Sequence, residues 1–397
     1  MDKKIEELLT RGVENVYPTR DFLEKLLTSK KKLVIYTGYD PTAPTLHIGH
    51  GITMLKLRQF QELGHKIIFL IGDFTGMIGD PTDKSSTRQQ LTREQVLKNC
   101  QEYKKQASAI LDFGSPRFGE AGGKNPVEIK YNSKWFLKMN FGDVLDLSSN
   151  FTVQRMLERD MFQVRMKEGK PIYVHEFLYP VMQAYDSVVM NVDGEVGGND
   201  QTFNMLAGRD LMKTMKNKEK FVLTMKLLTD TAGKKMGKSE GNMIALSDSP
   251  EDMLGKVMSW PDGMIAAGFE LCTRVPMDEI KKELGGGANP RDLKLRLAHE
   301  IVKMYHSEAV AKKAEENFIS QFSKKEVPEE IKEVKVKSKN ILDVLVEAGL
   351  CSSKGDARRN VLQGGVSVDG ETVKDFNFEI KSGSVIKKGK RYFVKIK

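Results

Sequence analysis

An α/β fold, with a Rossmann-like parallel sheet first and a small α+β unit last, is predicted by three neighbouring stretches of this sequence. KKLVIYTGYD (Lys31 to Asp40) is a short apolar run ending in turn residues, and so reads as a buried strand. LHIGHGITMLKLRQFQELG follows, apolar at helical spacing and stopped by Gly64. HKIIFLIGDFTG is then a second buried strand. Strand, helix and strand in this order make a βαβ unit, whose strands run parallel through a right-handed crossover. Such sheets take ligands beyond the carboxyl ends of their strands, here YTGYDPTAPT and GDFTGMIGDPTDK, both rich in Gly, Asp and Thr.

The other elements follow in order. Residues 1–30 read as an N-terminal helical segment, since MDKKIEELLTRGVENV has amphipathic spacing. The Rossmann-like domain covers 31–230, with a mostly helical insert at about 86–180 that is broken at FGSPRFGEAGGKNP. SVVMNVD (Ser187 to Asp193) reads as an apolar strand leading into GEVGGNDQTFNM and a further helix, which returns the chain to the sheet. A lysine-rich loop spans 231–245. Ser249-Pro250-Glu251-Asp252 sets a capping residue before Pro and two acids, the mark of a helix start, and lies at the head of a helical domain, 246–322. SKKEVPEEIKEVKVKSKN, 323–340, is charged and poor in large apolar residues, and reads as a linker. The last unit, 341–397, holds two short helices, a Gly-Gly turn and VSVDGE as a tight hairpin.

Hydrophobic residues at 40% and charged residues at 29% are the balance of a chain that folds around a core in water. No apolar run is long enough to span a membrane, and the start lacks the apolar stretch of a signal peptide. No membrane partner is expected. Cys100, Cys272 and Cys351 are odd in number and far apart, which speaks against a disulfide framework or a structural metal and fits a reducing cytoplasm. The charge of +9 is uneven: residues 331–397 hold 15 Lys and Arg against 8 Asp and Glu, a net of +7. The first 330 residues hold 48 against 46, only +2. A basic tail on a nearly neutral body points to a polyanionic partner at the C-terminal end, and SSKGDARRNV offers Lys354, Arg358 and Arg359 for phosphate contacts. A merely lysine-rich surface is the plainer alternative.

Two motifs are directed at phosphates. TAGKKMGKS (Thr231 to Ser239) is one letter from the Gly-rich loop of P-loop ATPases and GTPases. That loop needs a helix starting on its Ser, whereas Glu240, Gly241 and Asn242 favour a turn, and its leading Gly is Ala232 here. The P-loop reading therefore fails, and the lysines need another purpose. His47-Ile48-Gly49-His50 sets two imidazoles at i and i+3 on one face of a helix start. Free N–H groups, the positive dipole end, Gly49 for close approach, Thr42 and Thr45 make this a polyphosphate site. Zinc would need two further ligands, and no Cys or His cluster stands nearby in sequence.

HIGH just after the first strand, with KMGKS far downstream, resembles the paired signatures of the class I aminoacyl-tRNA synthetases. The resemblance extends over the chain to the tyrosyl-tRNA synthetases of bacterial type. YTGYDPTAPTLHIGH, GDPTDKSSTR, YPVMQAYD and GGNDQ stand in the family's order, with Tyr36 ending the first strand. The tail resembles the small RNA-binding domain named after ribosomal protein S-four, which often closes these enzymes. Three departures occur: Gly237 in place of Ser in KMSKS, Thr37 where some members have Cys, and Thr-Phe-Asn after Gln201 where others have Trp-Gly-Asn.

The resemblance implies a tyrosine–tRNA ligase that joins L-tyrosine to ATP, taken with Mg²⁺, and then passes the tyrosyl group to tRNA(Tyr). It implies catalysis by Thr42, His47, His50, Lys84, Arg88, Lys235 and Lys238, with no covalent nucleophile. Asp80, Tyr179 and Gln183 are implied to hold the substrate ammonium, Tyr36 and Asp186 its phenol hydroxyl, and Gln201 its carboxylate side. Gly38, Asp40, Thr42, His47, Gly49, His50, Gly198, Asp200, Lys235 and Lys238 are implied to bind ATP, with Asp200 on the ribose. A homodimer through the helical insert is implied as well. A tryptophanyl-tRNA synthetase is the alternative, although Tyr36 and Asp186 make poor sense around an indole that lacks the hydroxyl. A non-catalytic RNA-binding protein would explain the tail and leave HIGH and KMGKS without use.

Overall fold

The structure is a computed structural model and describes residues 2–80, 90–115, 125–230, 233, 236, 243–323, 331–389 and 392–397, the side chains of 321–323 excepted. The chain divides into two compact units, 1–315 and 316–397. The first is organised around six strands: β1 (Val13–Tyr17), β2 (Val34–Tyr39), β3 (Lys66–Ile71), β4 (Glu128–Tyr131), β5 (Gly194–Gly198) and β6 (Phe221–Met225). Their order across the sheet is β1-β6-β5-β2-β3-β4. All neighbours run parallel except β1, which pairs antiparallel with β6. The central strands are apolar on both faces, with Ile35, Ile67, Phe69, Leu70, Val196 and Leu223 buried, as a sheet covered by helices on both sides requires.

The chain moves from β2 to β3 and β4 in one direction, and returns to β5 and β6 on the other side of β2. This reversal opens a crevice between the carboxyl ends of β2 and β5. The helix Ile48–Glu62 makes the first crossover and buries Ile52, Leu57 and Phe60. Gly64, at φ +88°, ends it in a conformation that a side chain would strain. Helices Val174–Met190 and Thr202–Lys216 flank β5 and share a core of Ala184, Val188, Leu211 and Met212. Ser249 caps the helix Pro250–Met258, accepting from the Asp252 N–H at 3.1 Å.

Four expectations are corrected. The N-terminal segment is not wholly helical, because VENVY adds β1 to the sheet edge. The insert carries β4, which extends the sheet beyond β3. Ser187–Asp193 is no strand: the helix continues to Met190, and Asn191 in the left-handed region stops it. Its apolar residues continue the buried helix face of YPVMQAYD, a choice that a short apolar run cannot reveal by itself. Finally, β2 continues beyond Tyr36 to Tyr39.

In the second unit β7 (Lys332–Val334), β8 (Val366–Val368), β9 (Glu371–Thr372), β10 (Val385–Lys388) and β11 (Tyr392–Ile396) form a sheet of order β7-β11-β10-β8-β9. The stretch read as a linker thus supplies an edge strand, which pairs parallel with β11. Asp369 at φ +50° and Gly370 at φ +91° turn the hairpin between β8 and β9, as two successive left-handed residues do in a tight primed turn. Helices Ile341–Glu347 and Lys354–Leu362 close over Val344, Leu345, Val361, Ile386 and Val394. Among the described residues, no helix is long and apolar enough to cross a membrane.

Candidate active site

A cavity of about 880 Å³ lies at the carboxyl ends of β2 and β5. Every site residue expected in the first unit and described by the structure lines it, from Tyr36 and Gly38 through Asp80 to Gly198 and Asp200. Lys84, Arg88, Lys235 and Lys238 lie outside the described residues.

One end of the cavity is the start of the helix Ile48–Glu62. His47 is its N-cap, in extended backbone conformation, and donates its own N–H to Nδ1 of His50 at 3.0 Å. The two rings lie with centroids 3.8 Å apart. A Cβ on Gly49 would come within 3.0 Å of the His47 ring, so a side chain there would press on the pair. This helix start is joined to the chain that follows the lysine loop. Ile48 N–H donates to Ile244 O at 2.9 Å, Leu246 N–H donates to Leu46 O at 2.9 Å, and His47 faces Ala245 in an antiparallel bridge. Met236 and Met243, on either side of 237–242, line the same cavity. Met236 and the stretch from Met243 thus come together with the helix start, although they are far from it in sequence. Across the cavity, a Cβ on Gly198 would stand 2.4 Å from Oδ1 of Asp200, so only glycine leaves that carboxylate its place.

The other end is set by polar side chains on the helix Val174–Met190. Tyr179, Gln183 and Asp186 share its inward face, as their spacing predicts. Tyr179 donates to Oδ2 of Asp40 at 2.8 Å, and Thr75 donates to Oδ1 of the same carboxylate at 2.7 Å. Gln201 donates to Oδ2 of Asp80 at 2.7 Å. Asp186 accepts from Trp135 Nε1 at 2.8 Å and from Asn132 Nδ2 at 3.3 Å. Burial pushes its carboxyl well above the usual range, while those two donors pull the other way. Tyr36 is fully buried with its hydroxyl 2.9 Å from Ser187 Oγ. Burial, then the charges of Glu195 and Asp186, push its phenol well above its ordinary value.

Sequence reasoning missed Asn132, Trp135, Ser187, Glu195 and Lys220. Asn132 and Trp135 come from the N-cap and the body of the one-turn helix Ser133–Phe136 after β4 and reach Asp186 across more than fifty residues of chain, so no local pattern marks them. In the second unit Lys354, Arg358 and Arg359 are exposed on one helix, as expected. Lys354 pairs with Asp343 at 2.5 Å, and the Arg358 guanidinium covers the Phe376 ring at 4.7 Å.

The family model described as "tRNA synthetases class I (W and Y)" matches residues 28–323, and the one described as "Tyrosine--tRNA ligase SYY-like C-terminal domain" matches 319–396. Fold and site together are those of a class I tRNA synthetase. The tyrosine–tRNA ligase 2 of Clostridium acetobutylicum is 44% identical over 100% of this chain and 98% of its own length. The tyrosine–tRNA ligase of Thermotoga maritima is 44% identical over 98% of this chain and 96% of its own. Among solved structures, a C-terminally truncated mitochondrial tyrosyl-tRNA synthetase of Coccidioides posadasii is 28% identical with TM-score 0.65, over 80% of this chain and 92% of that one. The chain belongs to the tyrosyl-tRNA synthetase family.

Proposed function

We propose that this protein activates L-tyrosine with ATP, taken as its Mg²⁺ complex, and transfers the tyrosyl group to tRNA(Tyr). The observation that carries the choice of amino acid is the buried pair Tyr36 and Asp186 at the closed end of the cavity. A hydroxyl that accepts from Tyr36 and donates to Asp186 matches both groups, whereas a bare phenyl ring meets neither and an indole, which can only donate, meets at most Asp186. Asp80, Tyr179 and Gln183 would hold the ammonium, and Gln201 the carboxylate side. The tyrosine carboxylate then attacks the α-phosphorus, and the bond to the departing pyrophosphate breaks, leaving tyrosyl-adenylate. No side chain need become covalently attached, so catalysis here is placement and charge stabilisation. Thr42, His47, Gly49 and His50 at the helix start would receive the phosphates, Gly38 and Asp40 would flank them, and Gly198 and Asp200 would face the ribose. Lys84, Arg88, Lys235 and Lys238 would bring positive charge to the developing anion.

Pyrophosphate exchange tests the reading directly. Exchange should depend on tyrosine, and equal exchange with tryptophan or phenylalanine would overturn it. Lys354, Arg358 and Arg359 are proposed to meet tRNA phosphates. A homodimer is supported by Phe141, Leu145, Val153 and Val174 of the insert, which are 56–77% exposed in a single chain. Sedimentation should report twice the mass of one chain. The three cysteines are free thiols, which suits work in the reducing cytoplasm.

A further inference from the structure

The bridge between His47 and Ala245 is anchored by a carboxylate and an ammonium that the proposed reaction leaves unused. In this pair the ladder bonds are made by the neighbours, Ile48 N–H to Ile244 O and Leu246 N–H to Leu46 O, each at 2.9 Å. The N–H and C=O groups of His47 and Ala245 themselves therefore face outward, away from the partner strand. Each residue is then closed in the same way by the residue three positions on. His47 donates to His50 Nδ1 at 3.0 Å and accepts from the His50 N–H at 2.8 Å. Ala245 donates to Oδ2 of Asp248 at 2.8 Å and accepts from the Asp248 N–H at 3.1 Å. Two turns of like wiring thus stand back to back across one bridge.

They differ in what holds them. The His47 turn runs directly into the helix Ile48–Glu62. The Ala245 turn ends just before the cap of the helix Pro250–Met258, and from that helix Lys256 Nζ reaches back to the same Oδ2 of Asp248 at 2.6 Å. Ile244, Ala245 and Leu246 are all buried, so the Ala245 N–H is shut off from water and needs its acceptor. Asn, Ser or Thr could close such a turn as well, but only a carboxylate adds charge to the bond with Lys256. Neither Asp248 nor Lys256 lines the cavity.

We propose that Asp248 and Lys256 are positioning residues for adenylate formation: Lys256 fixes the Asp248 carboxylate, the carboxylate fixes Ala245, and Ala245 fixes His47 across the bridge. Because the His47 N–H holds His50, one displacement of the bridge moves both imidazoles. This rests on the reading that the helix start receives the ATP phosphates. Tyr36 and Asp186 take no part in this chain of contacts, so tyrosine binding should be untouched.

The test is pyrophosphate exchange by the full chain at varied ATP, beside equilibrium dialysis of tyrosine. Asp248→Ala removes the acceptor and should lower kcat/KM for ATP roughly tenfold, the size expected when a buried N–H is left unpaired. The tyrosine dissociation constant should shift by less than about twofold, the margin for sites that share no partners. Asp248→Asn and Lys256→Met leave Ala245 an acceptor without the ion pair, and each should lose about threefold, as for a partly exposed pair. These two carry the test if Asp248→Ala does not fold. Lys256→Arg should restore the wild-type value. The charge exchange Asp248→Lys/Lys256→Asp remakes an ion pair but gives Ala245 no acceptor, so it should stay as slow as Asp248→Ala. Hydrogen exchange at Ile48 and Leu246 should quicken in Asp248→Ala while the amides of β3 stay protected. Unchanged kcat/KM for ATP, an equal loss of tyrosine binding, or recovery in the charge exchange would overturn the proposal. His47→Ala and His50→Ala probe the underlying reading. If neither slows exchange, the helix start does not receive the phosphates, so the two failures are separable.

Discussion

Tyr36, Asp186, Ser187 and Lys220 at the proposed amino-acid end of the cavity are at most 3% exposed, whereas Thr42, His47, Gly49 and His50 at the proposed phosphate end are half-buried. The first group is held by side chain bonded to side chain, with Trp135, Asn132 and Glu195 closing the network. The second is held by backbone, through the helix start and its bridge to Ala245. A dry, fully bonded network penalises any ligand that fails to replace each bond, which is what choosing among similar amino acids requires. A helix terminus with solvent access instead offers general attraction for phosphate and leaves room for charge to arrive during the reaction. Changes at the first end should alter which amino acid reacts, and changes at the second should alter how fast.

The largest effect should follow Asp186→Ala. It removes the acceptor for the substrate hydroxyl and strands Trp135 Nε1 and an Asn132 N–H, for a loss on the order of 3–6 kcal/mol in tyrosine activation. Asp186→Asn keeps one acceptor and should lose less. Burial holds the carboxyl of Asp186 above its usual range. Acid therefore protonates it early, and tyrosine KM should rise as pH falls, a slope absent in the Asn variant. An Ala variant within tenfold of wild type (about 1.4 kcal/mol) would show that this end does not read the hydroxyl.

Lys238→Ala tests the proposed role of the other end. The charge it would bring belongs to the transition state, so kcat should fall by about 2–4 kcal/mol while the tyrosine dissociation constant stays put. Rapid-quench turnover and equilibrium dialysis separate the two quantities. A variant with normal rate and weakened tyrosine binding would dissolve the contrast between the ends.

How much of this was legible in the sequence follows the same division. The phosphate end is local: HIGH, its helix and Gly64 are contiguous, so spacing and turn chemistry predict them. The amino-acid end is assembled from distant strands. Tyr36, Tyr179, Gln183 and Asp186 were nameable through the resemblance, but Lys220 reads as an ordinary surface lysine until β5 and β6 are paired. Glu195 sits in the glycine-rich strand GEVGG, which no apolar run marks, so no local pattern signals its burial. β7 leaves a trace as well, because Glu333-Val334-Lys335-Val336-Lys337 alternates with period two, but the charge of the stretch outweighs it.

The two units extend the comparison. Because β7 pairs with β11, a cut near Lys339 would divide the second sheet, so the informative truncation ends at Ser323. Removing residues 324–397 takes away a strongly basic unit and should leave both ends of the cavity intact. Tyrosyl-adenylate formation should persist, while tRNA charging should fall by about tenfold or more and lose part of its salt dependence. A folded truncation that charges tRNA normally would remove RNA binding from the second unit.

The smallest effect, and the finest test of the amino-acid end, belongs to Tyr36→Phe. The ring stays and keeps its packing against Ile68, Leu70 and Val192, so the fold should be retained. One neutral hydrogen bond to the substrate disappears, which should cost tyrosine about 0.5–1.5 kcal/mol in kcat/KM. Ser187 loses its Tyr36 partner at the same time, but a hydroxyl can rotate, so this part of the penalty is shared by all substrates. Phenylalanine never paired with the Tyr36 proton, and its arrival no longer strands that donor, so its activation should hold steady or rise slightly. The ratio of the two specificity constants should therefore narrow from both sides. Asp186→Ala, in contrast, should depress tyrosine far more than this. If Tyr36→Phe equals Asp186→Ala in its effect, the two groups do not divide the hydroxyl into donor and acceptor roles. If it leaves the ratio unchanged, the Tyr36 proton points away from the substrate.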